Sequence, residues 1–195
     1  MKKIGIMGGT FNPIHSAHLA IAEQAMDEFG LEKIMFLPNN IPPHKECDNS
    51  VSSTFRIEMV KAAIEDNDRF FLSLYEIEKG GFSYTVDTLR HFSNEYDDIY
   101  FIIGGDSVRD FPKWYKPDEI SKLCTFIAYP RENLDFKAHA QQIRDLYGAK
   151  VLELDAPRLD ISSSDIRLRL KQNKTVRYLV PEKVFKIIEE NKLYE

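Results

Sequence analysis

Residues 2–18 read KKIGIMGGTFNPIHSAH, in which a short apolar run leads through a glycine pair into a helical pattern. This alternation of strand and helix recurs along the chain. Strands are predicted at 2–7, 33–38, 70–77, 99–103, 125–129 and 150–154. Helices are predicted between them at 16–29, 54–65, 84–93, 117–123 and 135–147. Several strands are apolar throughout, as in a parallel sheet covered on both faces, so the sequence predicts an α/β fold with a doubly wound parallel sheet.

The end of the chain has a different pattern. Two helical stretches, 163–172 and 181–192, follow without a clear strand between them, and Pro181 suits the first turn of the second. The 195 residues contain no internal repeat and no low-complexity linker. We therefore predict a single domain, residues 1–195, in which a C-terminal helical tail follows the sheet.

The composition is typical of a soluble globular protein, with 43% hydrophobic residues, 29% charged residues and a formal net charge of −5. An acidic chain does not favour a nucleic-acid surface. The first apolar run is too short for a secretory signal, and no stretch approaches the roughly 18 apolar residues of a membrane span. Two distant cysteines, Cys47 and Cys124, fit a reducing compartment. We expect a cytoplasmic protein with no nucleic-acid or membrane partner.

The loop that follows the first strand carries the strongest functional signal. Gly8 and Gly9 permit a tight turn and a close approach of the backbone to a ligand. The helix that begins after them offers N–H groups and a positive dipole end to a phosphate. His15 and His18 are three residues apart, so in the first helical turn they share a face and can donate hydrogen bonds to phosphate oxygens. The segment predicts a phosphate site.

Two other interpretations of this loop fit less well. A zinc site needs further ligands, and the remaining histidines lie outside the motif, at His44, His91 and His139. We predict no metal site built from protein ligands. A dinucleotide-binding loop needs G-x-G-x-x-G, which is absent, and an acidic residue after the second strand, where Pro38-Asn39 stands. A hydride-transferring dehydrogenase is therefore not favoured.

A second phosphate element is predicted near the start of the tail. Residues 161–167, ISSSDIR, place serines before a helical pattern, with Asp165 three residues after Ser162 as in a capping box. This arrangement exposes another helix N-terminus, adds hydroxyl groups and places Arg167 one turn into the helix. An ordinary N-cap with a solvated arginine is the alternative for this segment taken alone.

Together the two elements, G-G-T-F-N-P-x-H-x-x-H at 8–18 and I-S-S-S-x-I-R at 161–167, resemble the nucleotidylyltransferase superfamily, whose fold is Rossmann-like. Over nearly its full length, the chain is similar to the bacterial nicotinate-nucleotide adenylyltransferases. It has Ala17 where that family usually has glycine, Ser164 for threonine and Gly105 for alanine. Each exchange is between small residues, so it bears on fine geometry more than on activity.

The resemblance implies an adenylyl transfer from ATP to nicotinate mononucleotide, which gives nicotinate adenine dinucleotide and pyrophosphate without a covalent intermediate. The catalytic residues would be His18, His15 and Arg167. Residues of both elements and of the fourth strand's end would bind ATP: Gly8, Gly9, Thr10, Phe11, His15, His18, Gly104, Asp106, Ile161, Ser163, Ser164 and Arg167. Mg²⁺ would be held mainly through the ATP phosphates.

The resemblance also places the nicotinate mononucleotide beside residues that follow the strands, where ligands of an open parallel sheet bind. Its ring would stack at Trp114-Tyr115, and its carboxylate would meet backbone N–H groups near Thr85 and Tyr115. The implied acceptor residues are Asn39, Asn40, Lys45, Thr85, Trp114, Tyr115 and Arg131. The first three belong to a polar loop, 39–53, whose length is itself typical of a functional segment.

Three rival functions fit less well. A related adenylyltransferase with nicotinamide mononucleotide or phosphopantetheine as acceptor would share the phosphate elements. A nucleotide sensor without catalytic activity would tolerate the loss of His18. A class I tRNA synthetase fragment would carry a K-M-S-K-S element, which this chain lacks. The sequence leaves open whether the protein is a homo-oligomer.

Overall fold

The computed structural model describes residues 2–43, 51–130, 135–157 and 159–194. Within these ranges the strands are β1 (Lys3–Gly9), β2 (Lys33–Pro38), β3 (Phe70–Leu72), β4 (Asp98–Gly104), β5 (Thr125–Tyr129) and β6 (Lys150–Glu153). They form one six-stranded sheet in the order β3-β2-β1-β4-β5-β6. Every neighbouring pair is parallel. The predicted doubly wound parallel sheet is confirmed.

Helices connect the strands and form the tail. In the described ranges they are α1 (Ser16–Phe29), α2 (Ser53–Ile64), α3 (Tyr75–Lys79), α4 (Thr85–Phe92), α5 (Gly105–Asp110), α6 (Pro117–Leu123), α7 (Phe136–Tyr147), α8 (Ser163–Lys171) and α9 (Glu182–Glu190). A 3₁₀ turn, Phe111–Lys113, follows α5. None of these helices has the length and apolar character needed to span a bilayer.

Each face of the sheet is buried against its own group of helices, because side chains alternate between the two faces along a strand. Met7 and Phe36 belong to a buried cluster that includes residues of α1, α2 and α9. Ile6 and Leu37, one residue away along the same strands, belong to a second cluster formed with α4 to α7. This double coverage explains why the strands are almost continuously apolar.

The order of the strands places a crevice beside β1. β1 lies between β2 and β4, with Gly8 opposite Leu37 and Met7 opposite Ile102. The sheet is extended to one side by β2 and β3 and to the other side by β4, β5 and β6. At such a reversal the loops at the carboxyl ends of neighbouring strands diverge, and ligands bind between them.

The strand predicted at 70–77 is wrong beyond Leu72. β3 pairs with β2 only as far as Phe36 opposite Leu72. The hydroxyl of Ser73 then accepts the N–H of Tyr75 at 3.3 Å, and α3 begins at Tyr75. A short apolar run suits a strand and a buried helix equally well, so periodicity alone could not place this boundary.

Helix α5 is absent from the sequence-based prediction. It begins directly after β4, with Gly104 as its N-cap, and it has six residues. A helix of that length is too short to show a 3.6-residue period, so the pattern around Asp106 gave no sign of it. Asp106, predicted at the end of the fourth strand, therefore lies in the first turn of a helix.

Candidate active site

A cavity of about 350 Å³ opens where β1, β2 and β4 end. Its lining includes many of the residues predicted from the sequence to bind the two substrates: Gly8, Gly9, Thr10, His18, Asn39, Thr85, Gly104, Asp106, Trp114 and Tyr115. Among the predicted residues that the structure describes, those outside the lining of the cavity are Phe11, His15, Asn40, Ile161, Ser163, Ser164 and Arg167. The ATP side and the acceptor side of the prediction thus share one crevice.

The two histidines of the first element form a stacked pair. Their ring centroids are 3.7 Å apart and the rings are inclined by 26°. The backbone N–H of His15 donates to Nδ1 of His18 at 3.2 Å. Since Nδ1 accepts, the proton of a neutral His18 ring is on Nε2. His15 is only 3% exposed, whereas His18 lines the cavity, so His18 is the imidazole that can offer an N–H to an anion there.

The glycine pair does not form the tight turn that was predicted for it. Gly8 and Gly9 are the last residues of β1, so the predicted tight turn is not made by them. The chain turns at Phe11, which has a φ of 48°. A Cβ on Gly9 would lie 3.2 Å from the ring of Phe11, which in turn packs edge-on against His18 with centroids 5.1 Å apart. Gly9 thus leaves room for the ring beside His18.

The N-terminus of α1 is also less open than predicted. The backbone N–H of Ser16, the first residue of the helix, donates to the carbonyl of Leu179 at 3.0 Å. The hydroxyl of Ser16 lies 3.4 Å from the carbonyl of Tyr178. The chain ahead of α9 therefore accepts a hydrogen bond from one of the helix N–H groups that the sequence had offered to a phosphate.

The second element folds against the first. The hydroxyl of Ser163 donates to the carbonyl of Pro13 at 2.9 Å, and Nη1 of Arg167 donates to the carbonyl of Asn12 at 2.9 Å. These contacts join residues that are 150 and 155 positions apart. The N-terminus of α8 and the loop that leads into α1 therefore meet, as a shared phosphate site requires.

Helix α8 begins with the predicted cap. The hydroxyl of Ser162 accepts the backbone N–H of Asp165 at 3.1 Å. Ser164 is exposed and its hydroxyl lies 3.5 Å from Nη2 of Arg167. Ile161 packs against the hydrophobic core. The N–H groups of Ser163 and Ser164 open the helix and have no acceptor within it, which makes them donors for an anion.

The end of β4 supplies a polar floor to the cavity. Asp106 is half-exposed and lies 3.6 Å from Nη1 of Arg109. Asp110, which the sequence analysis did not select, also lines the cavity. Its hydrogen bond with Arg109 at 2.9 Å lowers the pKa of the Asp110 carboxyl to about 2, so Asp110 is ionised at neutral pH. No heavy atom lies within 4 Å of a Cβ built on Gly104, so the backbone there is open to a ligand.

An aromatic wall closes the acceptor side. Trp114 packs edge-on against the buried ring of Phe111, with centroids 5.5 Å apart, and lines the cavity. Tyr115 is 49% exposed and leans on Tyr84 at 4.8 Å. Thr85 opens α4, so its backbone N–H has no acceptor within the helix. This wall provides a stacking surface at one end of the cavity, together with a backbone N–H that can donate to a carboxylate.

Of the two asparagines after β2, one lines the cavity and the other does not. Nδ2 of Asn39 donates to the hydroxyl of Thr10 at 3.3 Å, and Asn39 lines the cavity. Asn40 is turned away, because its backbone N–H donates to the hydroxyl of Ser83 at 2.9 Å and its Nδ2 donates to the carbonyl of Gly81 at 3.0 Å. Lys45, with the rest of residues 44–50 of the predicted loop 39–53, lies outside the described residues, as does Arg131.

Two buried charged residues near the cavity were missed by sequence reasoning. Burial raises the pKa of the Glu76 carboxyl, and hydrogen bonds from Thr88 and Ser83 offset only part of that effect. Arg56 on α2 is 7% exposed and donates to backbone carbonyls at the ends of β1 and β2. Arg56 was detectable in principle, because it falls on the helical period of the buried Met59, Val60 and Ala63, where an apolar residue is normal.

Comparison with known proteins gives a consistent picture. A family model described as cytidylyltransferase-like matches residues 6–169. The nicotinate-nucleotide adenylyltransferase of Bacillus subtilis is 44% identical over 197 residues, which cover all of both chains. A Clostridium botulinum relative named "Probable nicotinate-nucleotide adenylyltransferase" is 43% identical over 198 residues, covering 100% of this chain and 99% of that one.

Solved structures show the same architecture. The nicotinic acid mononucleotide adenylyltransferase of Plasmodium falciparum, complexed with APC, superposes with a TM-score of 0.78 at 20% identity. The alignment covers all of this chain and 98% of the other. The same enzyme complexed with NaAD gives the same TM-score and identity. At this level of identity the likeness establishes the fold.

Proposed function

The chain belongs to the cytidylyltransferase-like family and, within it, to the nicotinate-nucleotide adenylyltransferases, and from this we propose the reaction that it catalyses. It transfers the adenylyl group of ATP to nicotinate mononucleotide, giving nicotinate adenine dinucleotide and pyrophosphate for NAD biosynthesis. The observation that carries this proposal is the meeting of two phosphate elements, from residues 8–18 and 161–167, beside a cavity with an aromatic wall.

The reaction does not need a general base. The nucleophile is a phosphate oxygen of the mononucleotide, which is already ionised at neutral pH. The protein then contributes positioning and stabilisation of charge around an in-line displacement at the α-phosphate of ATP. No covalent intermediate is required, because the acceptor can attack phosphorus directly.

His18 has the central role in this proposal. Its Nε2–H, set by the hydrogen bond at Nδ1, donates to the α-phosphate and stabilises the charge that develops there. His15 fixes the ring of His18 by stacking. Direct contact of the buried His15 with the ATP phosphates remains a prediction. His18 acts as a hydrogen-bond donor, so it does not have to exchange a proton during the displacement.

The N-terminal turn of α8 receives the leaving pyrophosphate. The N–H groups of Ser163 and Ser164 and the hydroxyl of Ser164, together with the positive dipole end of the helix, favour the β- and γ-phosphates. Arg167 holds the loop at Asn12 through one nitrogen and adds positive charge to the same corner. Mg²⁺ arrives as part of the MgATP substrate, bound to phosphate oxygens. The described residues contain no group of three or more ligating side chains for a metal ion of their own.

The remaining predicted residues define the two ends of the bound substrates. Gly104 and Asp106 lie along the adenosine of ATP. The nicotinate ring stacks on Trp114, and backbone N–H groups at Thr85 and Tyr115 receive its carboxylate. Roles for Asn39 and Asn40 in acceptor binding remain predictions, as do those of Lys45 and Arg131.

A product assay tests the proposal. The purified protein is incubated with ATP, Mg²⁺ and, in separate reactions, nicotinate mononucleotide, nicotinamide mononucleotide or phosphopantetheine, and dinucleotide and pyrophosphate are quantified. We expect equal amounts of nicotinate adenine dinucleotide and pyrophosphate, with much faster turnover than for the other acceptors. Faster turnover with another acceptor would show that nicotinate mononucleotide is not the preferred acceptor. Binding of ATP without pyrophosphate release would indicate a nucleotide sensor.

A further inference from the structure

The buried guanidinium of Arg56 links two loops that reach the cavity from different strands. Its Nη1 donates to the carbonyl of Thr10 at 2.8 Å and to the carbonyl of Asn39 at 3.0 Å. Thr10 directly follows β1 and Asn39 directly follows β2. Both line the cavity, Thr10 in the ATP element and Asn39 in the segment on the acceptor side.

The sheet alone does not hold these two loops together. The ladder between β1 and β2 ends at Gly9 opposite Pro38, and the N–H of Asn39 adds a last backbone bond to the carbonyl of Gly9 at 2.9 Å. Beyond that point the two segments separate: the one after β1 leads to α1, and the one after β2 continues into residues 40–43. Among the described residues, the bonds that span this divergence include those of Arg56 and the 3.3 Å contact from Nδ2 of Asn39 to the hydroxyl of Thr10.

The choice of arginine at this place is informative. A buried cation is costly to desolvate, and a neutral side chain would stabilise two carbonyls at a lower cost. A planar guanidinium, however, has several donors in fixed directions, so it can hold two acceptors at a set separation better than a flexible ammonium. Its charge also lies beside a cavity where two anionic substrates must approach one another.

We propose that Arg56 is a positioning residue that fixes the distance between the ATP half and the acceptor half of the cavity. This inference rests on the proposed function, because the distance matters only when two substrates react. In-line attack requires the acceptor oxygen and the α-phosphorus to be within contact distance and aligned, and a displacement of about 1 Å can cost roughly 100-fold in rate. Arg56 touches no reacting atom and acts through the backbone of Thr10 and Asn39.

The test compares kcat with the dissociation constant of each substrate alone in Arg56→Lys and Arg56→Gln. The lysine retains the charge and loses the planar donor group, whereas the glutamine retains one planar NH2 group on a shorter side chain and loses the charge. We expect kcat for dinucleotide formation to fall by roughly 10- to 100-fold in both variants, because alignment is lost. The dissociation constants for ATP and for nicotinate mononucleotide, each measured separately by calorimetry, should stay within about threefold, because each loop still binds its own substrate.

Arg144→Gln is the matched control. Nη2 of Arg144 donates to the carbonyl of Val151 at 2.8 Å, which ties α7 to β6 away from the lining of the cavity. This variant should lower the melting temperature as much as the Arg56 variants do, and its kcat per folded molecule should equal that of the wild type.

The outcomes separate the two proposals. If the wild type forms no dinucleotide, the proposed function itself fails. If the wild type is active and the folded Arg56 variants keep a normal kcat, or lose substrate affinity instead of kcat, the positioning role is overturned. Failure of both variants to fold would also overturn it, because Arg56 would then serve stability alone.

Discussion

The hydroxyl of Tyr194 donates a 2.6 Å hydrogen bond to Oδ1 of Asn12, across 182 positions of the sequence. Both side chains are buried, with exposed fractions of 4% and 3%. Asn12 also presents its carbonyl to Arg167, so the end of the chain and α8 support the same loop. The helical tail therefore supports the loop that carries the proposed phosphate site.

Tyr194→Phe tests this support. Removing the hydroxyl takes a buried hydrogen bond from Asn12, and we expect the free energy of unfolding to fall by about 1–2 kcal/mol in urea titrations. The control is Tyr178→Phe, at a tyrosine that is 84% exposed, where a change within about 0.5 kcal/mol is expected. Equal stabilities for both variants would show that the bond from Tyr194 contributes little.

His18→Ala should abolish most of the turnover without abolishing ATP binding. The variant loses the donor directed at the α-phosphate, which we expect to lower kcat by roughly 100- to 1,000-fold. Steady-state kinetics and ATP calorimetry measure the two quantities. His91→Ala is the control, because His91 is exposed and lies outside the lining of this cavity. A His18 variant with near-normal turnover would remove the imidazole from the mechanism.

Trp114→Ala should weaken binding of the acceptor substrate, nicotinate mononucleotide. Loss of a stacking surface raises the Michaelis constant for nicotinate mononucleotide by about tenfold, and the constant for ATP should change little. Trp114→Phe retains an aromatic face against Phe111 and should lie close to the wild type. An unchanged constant for the mononucleotide in the alanine variant would place the nicotinate ring elsewhere.

Glu76 predicts a pH-dependent stability. Burial raises the pKa of its carboxyl, so the folded state favours the protonated form and is penalised once the pH rises through that raised pKa. Compared with Glu76→Gln, which does not titrate, the wild type should gain stability as the pH falls from about 8 to about 4. Thermal unfolding at several pH values measures the difference. The exposed Glu58→Gln is the control, and a pH-independent difference at Glu76 would contradict the effect of burial.

Local patterns in the sequence were sufficient to predict the sheet and the helix cap that begins α8. Strands such as β4 are apolar runs of the right length, and the cap at Ser162 depends on residues three positions apart. Local signals were insufficient where two structures fit one pattern, as for α3, and where a helix was too short to show a period, as for α5. The turn at Phe11 was misplaced because glycine is the usual residue for a positive φ.

The contacts that complete the site are long-range, and a single sequence does not reveal them. Arg56 lies 46 positions from Thr10, and Tyr194 lies near the opposite end of the chain from Asn12. A charged residue in a buried helical stripe shows that a partner must exist, but only the fold shows which one. The same holds for the N-terminus of α1, which was predicted to offer its N–H groups to a phosphate, because the N–H of Ser16 instead donates to the carbonyl of Leu179.

The stereochemical course at the α-phosphorus tests the central claim most directly. Adenosine 5′-(α-thiotriphosphate) of one configuration is allowed to react with nicotinate mononucleotide, and the configuration of the dinucleotide product is determined. A single in-line displacement between the two phosphate elements predicts inversion at phosphorus. Retention would indicate a covalent adenylyl-enzyme, and the absence of a dinucleotide from both this analogue and ATP itself would contradict the account.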